Sequence, residues 1–183
     1  MRVGITCYPT EGGSGVVATE LGKLLARKGN EVHFITSSLP VRLRGYEERI
    51  HFHEVRPENY PVFHYPPYSL SLAAKMAEVA SSHELDVLHA HYAMPHAASA
   101  YLARQMLRDH KVRTVTTLHG TDITLVGQAP SFFEVTRFSI DQSDRVTTVS
   151  EWLKEETRRI FHIERQIDVI HNFIDSQTFR PEP

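Results

Sequence analysis

Cysteine is nearly absent. Cys7 is the only one in 183 residues, so no internal disulfide can hold the chain, and the usage fits a reducing compartment. A dominant charge is missing too. Twenty Lys and Arg stand against 22 Asp and Glu, for a formal net charge of −2, and they form no basic block. That balance removes the electrostatic footprint of a nucleic-acid binder. No apolar run approaches the about 18 residues of a membrane-spanning helix. Met1-Arg2-Val3 leads straight into a strand pattern without the layout of a signal peptide. The sequence therefore predicts a cytoplasmic protein with no membrane partner. Internal repeats and low-complexity segments are also lacking.

What is present is an alternation of two periodicities. A hydrophobic content of 41% and a charged content of 23% fit one globular domain at this length. Apolar, β-branched runs predict strands at Val3–Tyr8, Glu31–Thr36, Ile50–Val55, Asp86–His91, Arg113–Leu118, Arg145–Val149 and Ile167–His171. Between them, helical spacing predicts helices at Gly15–Lys28, Ser69–Ser81, Pro95–Asp109, Ser131–Gln142 and Ser150–Phe161. Ser150 suits an N-cap, Pro95 a first turn and Gly29 the position after a helix end. Strand alternating with helix implies an α/β fold, a Rossmann-like parallel sheet with helices on both faces. Prolines 40, 57, 61, 66 and 67 break the rhythm between Ser38 and Tyr68, predicting loops around one short strand. Phe179-Arg180-Pro181-Glu182-Pro183 reads as the start of a linker. The expected division is a domain over residues 1–172 followed by a hinge over 173–183.

The glycine-rich turn Glu11-Gly12-Gly13-Ser14-Gly15 sits between the first strand and the first helix. Glycine lets backbone approach an anion, and the helix N-terminus offers unpaired N–H groups and partial positive charge. Gly13-x-Gly15-x-x-Ala18 fits the dinucleotide fingerprint, but the loop is too long for its tight turn. Thr36-Ser37-Ser38 also stands where the ribose-binding carboxylate belongs. A loop needing glycine only for its geometry is the plain alternative. A nucleophile elbow is excluded, because Val16 occupies a required glycine position.

Three further strand ends carry polar side chains. His89 and His91 share a strand face, as do His51 and His53, yet neither pair has a third metal ligand at local spacing. Substrate contact by His91 and Tyr92, beyond the carboxyl ends of the strands, is the reading that open α/β sheets favour. Thr117, His119 and Asp122 end the next strand pattern; Asp122 reads as a structural turn residue and His119 does not. Asn172 and Asp175 close the last strand. Ser14, Tyr92, Thr117 and His119 thus converge on one crevice.

Together these segments resemble the N-terminal domain of a retaining, family 4 glycosyltransferase of the GT-B architecture. The resemblance rests on the glycine loop, Asp86-Val87-Leu88-His89-Ala90-His91, His119-Gly120-Thr121-Asp122, Val149-Ser150 and Asn172-Phe173-Ile174-Asp175. It spans nearly the whole chain. Within the family, the motifs look most like the members that transfer N-acetylglucosamine from UDP-N-acetylglucosamine to L-malate in bacillithiol biosynthesis. The resemblance implies same-face attack by the malate hydroxyl with retention, and no metal or cofactor. It implies His119 at the reaction centre as the catalytic residue, and Ser14, Tyr92 and Thr117 on the acceptor. Gly13, Ser14, Gly15 and Asn172 would lie near the donor diphosphate. It further implies that a second, donor-binding domain is absent here, that this half alone is inactive, and that a homo-oligomer is compatible. A sugar-nucleotide epimerase of the same architecture, another family 4 acceptor and a non-catalytic binding module remain the alternatives.

Overall fold

The computed structural model describes residues 1–58, 61–108, 111–176 and 179–180. Its centre is a seven-stranded, wholly parallel sheet in the order β3-β2-β1-β4-β5-β6-β7. The strands are β1 (Arg2–Thr6), β2 (Glu31–Thr36), β3 (Ile50–Glu54), β4 (Val87–His91), β5 (Arg113–Leu118), β6 (Arg145–Thr148) and β7 (Asp168–Val169). The helices are α1 (Ser14–Arg27), α2 (Tyr68–Ser82), α3 (Ala98–Met106), the short α4 (Thr121–Thr124), α5 (Phe133–Gln142) and α6 (Glu151–Phe161). Among the described residues no helix is long and apolar enough to cross a membrane.

Alternation along the strands sorts the core into two faces. Val3 and Ile5 of β1, with Val32 and Phe34 of β2, pack against Ala18 and Ala26 of α1. On the opposite face, Ile35, Leu88 and Ala90 meet Leu72, Met76 and Val79 of α2 and Ala100 and Ala103 of α3. Leu118 and Val146 continue that face under Ile140 of α5 and Leu153 and Phe161 of α6. Each fully buried Leu, Ile or Phe contributes about 1.5–3 kcal/mol. The helices are therefore unevenly shared. With α1 over β1 and β2 and the long helices α2, α3, α5 and α6 opposite, a strip of β4, β5 and β6 lies open beside α1. That asymmetry makes the cleft.

Most expected elements are present, with instructive differences at their ends. Ser150 caps α6, its Oγ accepting from the Leu153 N–H at 3.2 Å. Gly29 follows the end of α1 at φ +86°. The helix expected from Pro95 begins only at Ala98, after an irregular turn over Ala93–Ala97. Met94 in that turn is extended (φ −129°, ψ 129°), as a residue before proline prefers. The expected helix end at Asp109 lies outside the described residues, as do hinge residues 177, 178 and 181–183. β1 ends at Thr6 and β7 keeps two residues.

Candidate functional site

The loop after β1 turns directly into α1. Gly13 precedes the helix at φ 60°, with no side-chain cap and no acidic residue in the first turn. The first helical turn therefore leaves its positive end without a carboxylate or a side-chain cap of its own. Gly15 is required by packing: a Cβ there would lie 2.2 Å from the Tyr8 carbonyl oxygen. Ser14 is buried in this turn. One helical turn further, Val17 lines a cavity of about 280 Å³.

That cavity fills the open strip beside α1. Leu21 of α1, His89 and His91 of β4, and Thr117 of β5 line it, together with Asn172 and Phe173 after β7. Register explains the grouping. His91 sits opposite Thr117, and Thr117 opposite Thr147. Thr117 Oγ1 lies 2.7 Å from His89 Nε2 and 2.8 Å from Thr147 Oγ1. A hydroxyl offers one donor and two acceptor positions, so Thr117 keeps one position free for a ligand.

The turns after β4 and β5 adjoin the cavity through His91, while Ser14, Tyr92 and His119, expected to share one crevice with Thr117, are not among its lining residues. His91 Nδ1 and His119 Nε2 are 2.9 Å apart. The Tyr92 ring stacks near His119 (6.3 Å between centroids) and meets Tyr8 of the β1 loop edge-on at 5.3 Å. Tyr92 also hydrogen-bonds the Thr121 hydroxyl. Asp122, 1% exposed, ties the two turns together. Its Oδ1 accepts from the N–H groups of His119 at 3.1 Å and Gly120 at 2.9 Å, and its Oδ2 from the Ala93 N–H at 3.2 Å. This is the structural role expected of Asp122.

Burial sets the charge state here. His119, His89 and His96 are each pushed down to about 4 by loss of solvent, and His91 well below its ordinary value for the same reason. All four are neutral at pH 7. Burial, reinforced by Asp122, raises the Tyr92 phenol to about 12, so it stays a hydrogen-bond donor. The pocket is thus uncharged and largely apolar, with Thr117, His89, His91 and Asn172 as polar points in its wall, and it lies beside an N-terminus of α1 that has no side-chain cap. The N-terminus of α1, not the apolar wall, is the part of this site that suits a negatively charged group.

The structure joins Tyr92 and His119 in one contact cluster, and Thr117 and Asn172 in one cavity, linked through His91. Gly13, Ser14 and Gly15 stand at the neighbouring helix start, connected through Tyr8 and Val17. Sequence reasoning missed Tyr8, His96 and Thr147. His96 Nδ1–H donates to the His91 carbonyl at 2.7 Å, while its Nε2 and that of His91 are buried without a hydrogen-bond partner. Only the register of β5 against β6 and the path of the β1 loop reveal these neighbours.

Comparison with known proteins fits this arrangement. The family model for Glycosyltransferase Family 4 matches residues 11–178. The N-acetyl-alpha-D-glucosaminyl L-malate synthase of Bacillus anthracis is 55% identical over 179 residues, covering 98% of this chain and 47% of that protein. The chain thus spans about half the length of this relative. Anabaena HepE, solved in complex with UDP-glucose, superposes with a TM-score of 0.75 at 16% identity, over 100% of this chain and 47% of that one. Sucrose-phosphate synthase from Thermosynechococcus elongatus gives 0.71 at 15% identity, over 100% and 50%. At such low identity these two carry the fold, that of GT-B glycosyltransferases. With a family match across most of its length and a relative sharing more than half its residues, the chain belongs to glycosyltransferase family 4.

Proposed function

We propose that this chain is the acceptor-binding half of a retaining transferase that joins N-acetylglucosamine, from UDP-N-acetylglucosamine, to L-malate. The 55% identity across 98% of the chain carries the reading. The site chemistry supports it. Malate brings two carboxylates to a neutral pocket beside an uncapped helix start, where Ser14, Tyr92 and Thr117 hydroxyls donate to them. N–H groups of the Gly13–Gly15 turn, with Asn172, face the donor diphosphate. His119 lies against the donor sugar, where its neutrality matters. A charged imidazole would oppose the positive charge that develops at the anomeric carbon, whereas a neutral one hydrogen-bonds the sugar without that penalty.

Retention needs no carboxylate nucleophile in this scheme. The malate hydroxyl attacks the face from which UDP departs, and the leaving phosphate takes the hydroxyl proton. The donor half is supplied by a second domain joined through the hinge over 173–183, with residues 1–172 as the first domain. The epimerase alternative requires a reactive carboxylate in the cleft, and Asp122 is committed to three backbone N–H groups.

Two assays test the reading. Calorimetry on the enzyme with both halves present is expected to register L-malate binding and to discriminate against D-malate and succinate. Equal response to all three overturns the acceptor assignment, and sugar transfer to malate by this chain alone overturns the division into halves. In the same two-half enzyme, Ser14→Ala and Tyr92→Phe are expected to raise the KM for malate about 10–100-fold, the worth of one charge-assisted hydrogen bond. Hydrolysis of the donor should change little. Equal losses in both reactions would remove these residues from the acceptor.

A further inference from the structure

A second histidine group lies at the β2–β3 edge and shares no residue with the cleft. His33 of β2 pairs with His51 of β3, and Ile35 with His53, so all three histidines lie on the α2 face. His83 follows α2 as its last cap. The ring centroids of His33 and His83 are 4.5 Å apart, and those of His53 and His83 are 5.2 Å apart. His33 Nδ1 is 2.9 Å from His53 Nε2. One ring nitrogen from each of His33, His53 and His83 lies within 4.8 Å of the other two. His33 is 0% exposed, and its Nε2 has no hydrogen-bond partner. The Glu31 carboxylate oxygen stands 3.5 Å from that nitrogen.

We propose that His33, His53 and His83 form a three-histidine site for a divalent transition-metal ion of the Zn²⁺ class. In the hydrogen bond between these two imidazoles one facing nitrogen carries a proton and the other a lone pair; once that proton moves through solvent to the other nitrogen of its own ring, both facing nitrogens present lone pairs to a metal ion. Ligand nitrogens about 2.0–2.1 Å from a tetrahedral ion stand about 3.4 Å apart. His33 and His53 therefore need to part by only about 0.5 Å from their 2.9 Å separation. With the ion on Nδ1, His33 carries its proton on Nε2, 3.5 Å from a Glu31 carboxylate oxygen, where a small closing shift makes the hydrogen bond. Such a carboxylate–histidine–metal arrangement fixes the tautomer and strengthens the ligand. Three imidazoles select Zn²⁺, Co²⁺, Ni²⁺ or Cu²⁺ over Mg²⁺ and Ca²⁺. The ion would pin the edge strand β3 to the end of α2, adding its binding free energy to the folded state, and it takes no part in sugar transfer.

The test is titration of the chelator-stripped chain with Zn²⁺, and with Co²⁺ as a spectroscopic probe. One ion per chain is expected, with micromolar or tighter affinity, the visible absorption of nitrogen-bound tetrahedral Co²⁺, and a thermal midpoint raised by Zn²⁺. His53→Ala and His83→Ala should each weaken binding at least 10-fold with the circular dichroism unchanged, while His51→Ala should leave it intact. Unchanged affinity in the His53→Ala/His83→Ala double variant overturns the site. So does loss on His51→Ala with His83→Ala silent, since the ion would then sit among Glu31, His33 and His51. Absence of saturable binding overturns it outright, leaving a packed stack of neutral imidazoles.

Discussion

Acidification from pH 7 to pH 5 is expected to remove most of the chain's stability. His89, His96 and His119 bind protons in the folded chain only near about 4, and His91 lower still. In the unfolded chain each titrates near 6.5. Below that value the unfolded state binds more protons, so stability is lost as pH falls from 6.5 towards 4 and is fully present above 6.5. Each such histidine costs about 1.4 kcal/mol per pH unit inside that window. By pH 5 the group costs on the order of 5 kcal/mol or more, against a usual total of about 5–15 kcal/mol. Asp122, whose carboxyl is raised by burial, acts in the opposite sense: between its unfolded and folded values protonation favours the fold, at the acid end of the range. Thermal unfolding followed from pH 7.5 to 4.5 checks this, and a flat profile would refute it. His96→Asn is the sharper probe. An Asn amide can donate to the His91 carbonyl as His96 Nδ1 does at 2.7 Å, but it cannot be protonated, so the profile should become shallower.

Asp122→Ala is expected to cost about 3–9 kcal/mol, because it strands the N–H groups of His119, Gly120 and Ala93 at about 1–3 kcal/mol each. The damage would not stop at stability. These N–H groups set the turns that carry His119 and Tyr92, so the two-half enzyme should also lose transfer activity. Asp122→Asn, which keeps one carbonyl oxygen, should fall between the wild type and Asp122→Ala in urea unfolding. A loss below about 1 kcal/mol in Asp122→Ala would mean that water replaces the carboxylate, contrary to the burial of this turn.

Both predictions depend on contacts that the sequence shows only in part. Strand positions were legible because parallel strands covered by helices read as β-branched apolar runs, and β2, β5 and most of β4 follow that pattern. The irregular turn at Ala93–Ala97 was not, since Pro95 reads equally well as a helix start. His89, His91 and His119 were visible as polar residues at strand ends. Their neutrality, and the 2.9 Å approach of His91 to His119, follow from the alignment of β4 with β5 and from what covers them. The edge histidines make the same point. His51 and His53 lacked a third ligand locally, and the fold supplies His33 from the adjacent strand and His83 from the end of α2.

Local physics in the sequence determined the alternating elements, the parallel sheet, the glycine turn at the start of α1 and the family motifs. These depend on periodicity, capping and glycine geometry within a few neighbouring residues. Tertiary structure decided which face of β4–β6 stays open beside α1, and that Thr147 and Tyr8 join the site. It also decided that the histidines are neutral and that His33 meets His53 and His83. Each of these depends on which strands are adjacent, in what register, and on how much water the packing removes. No short stretch of sequence records those quantities.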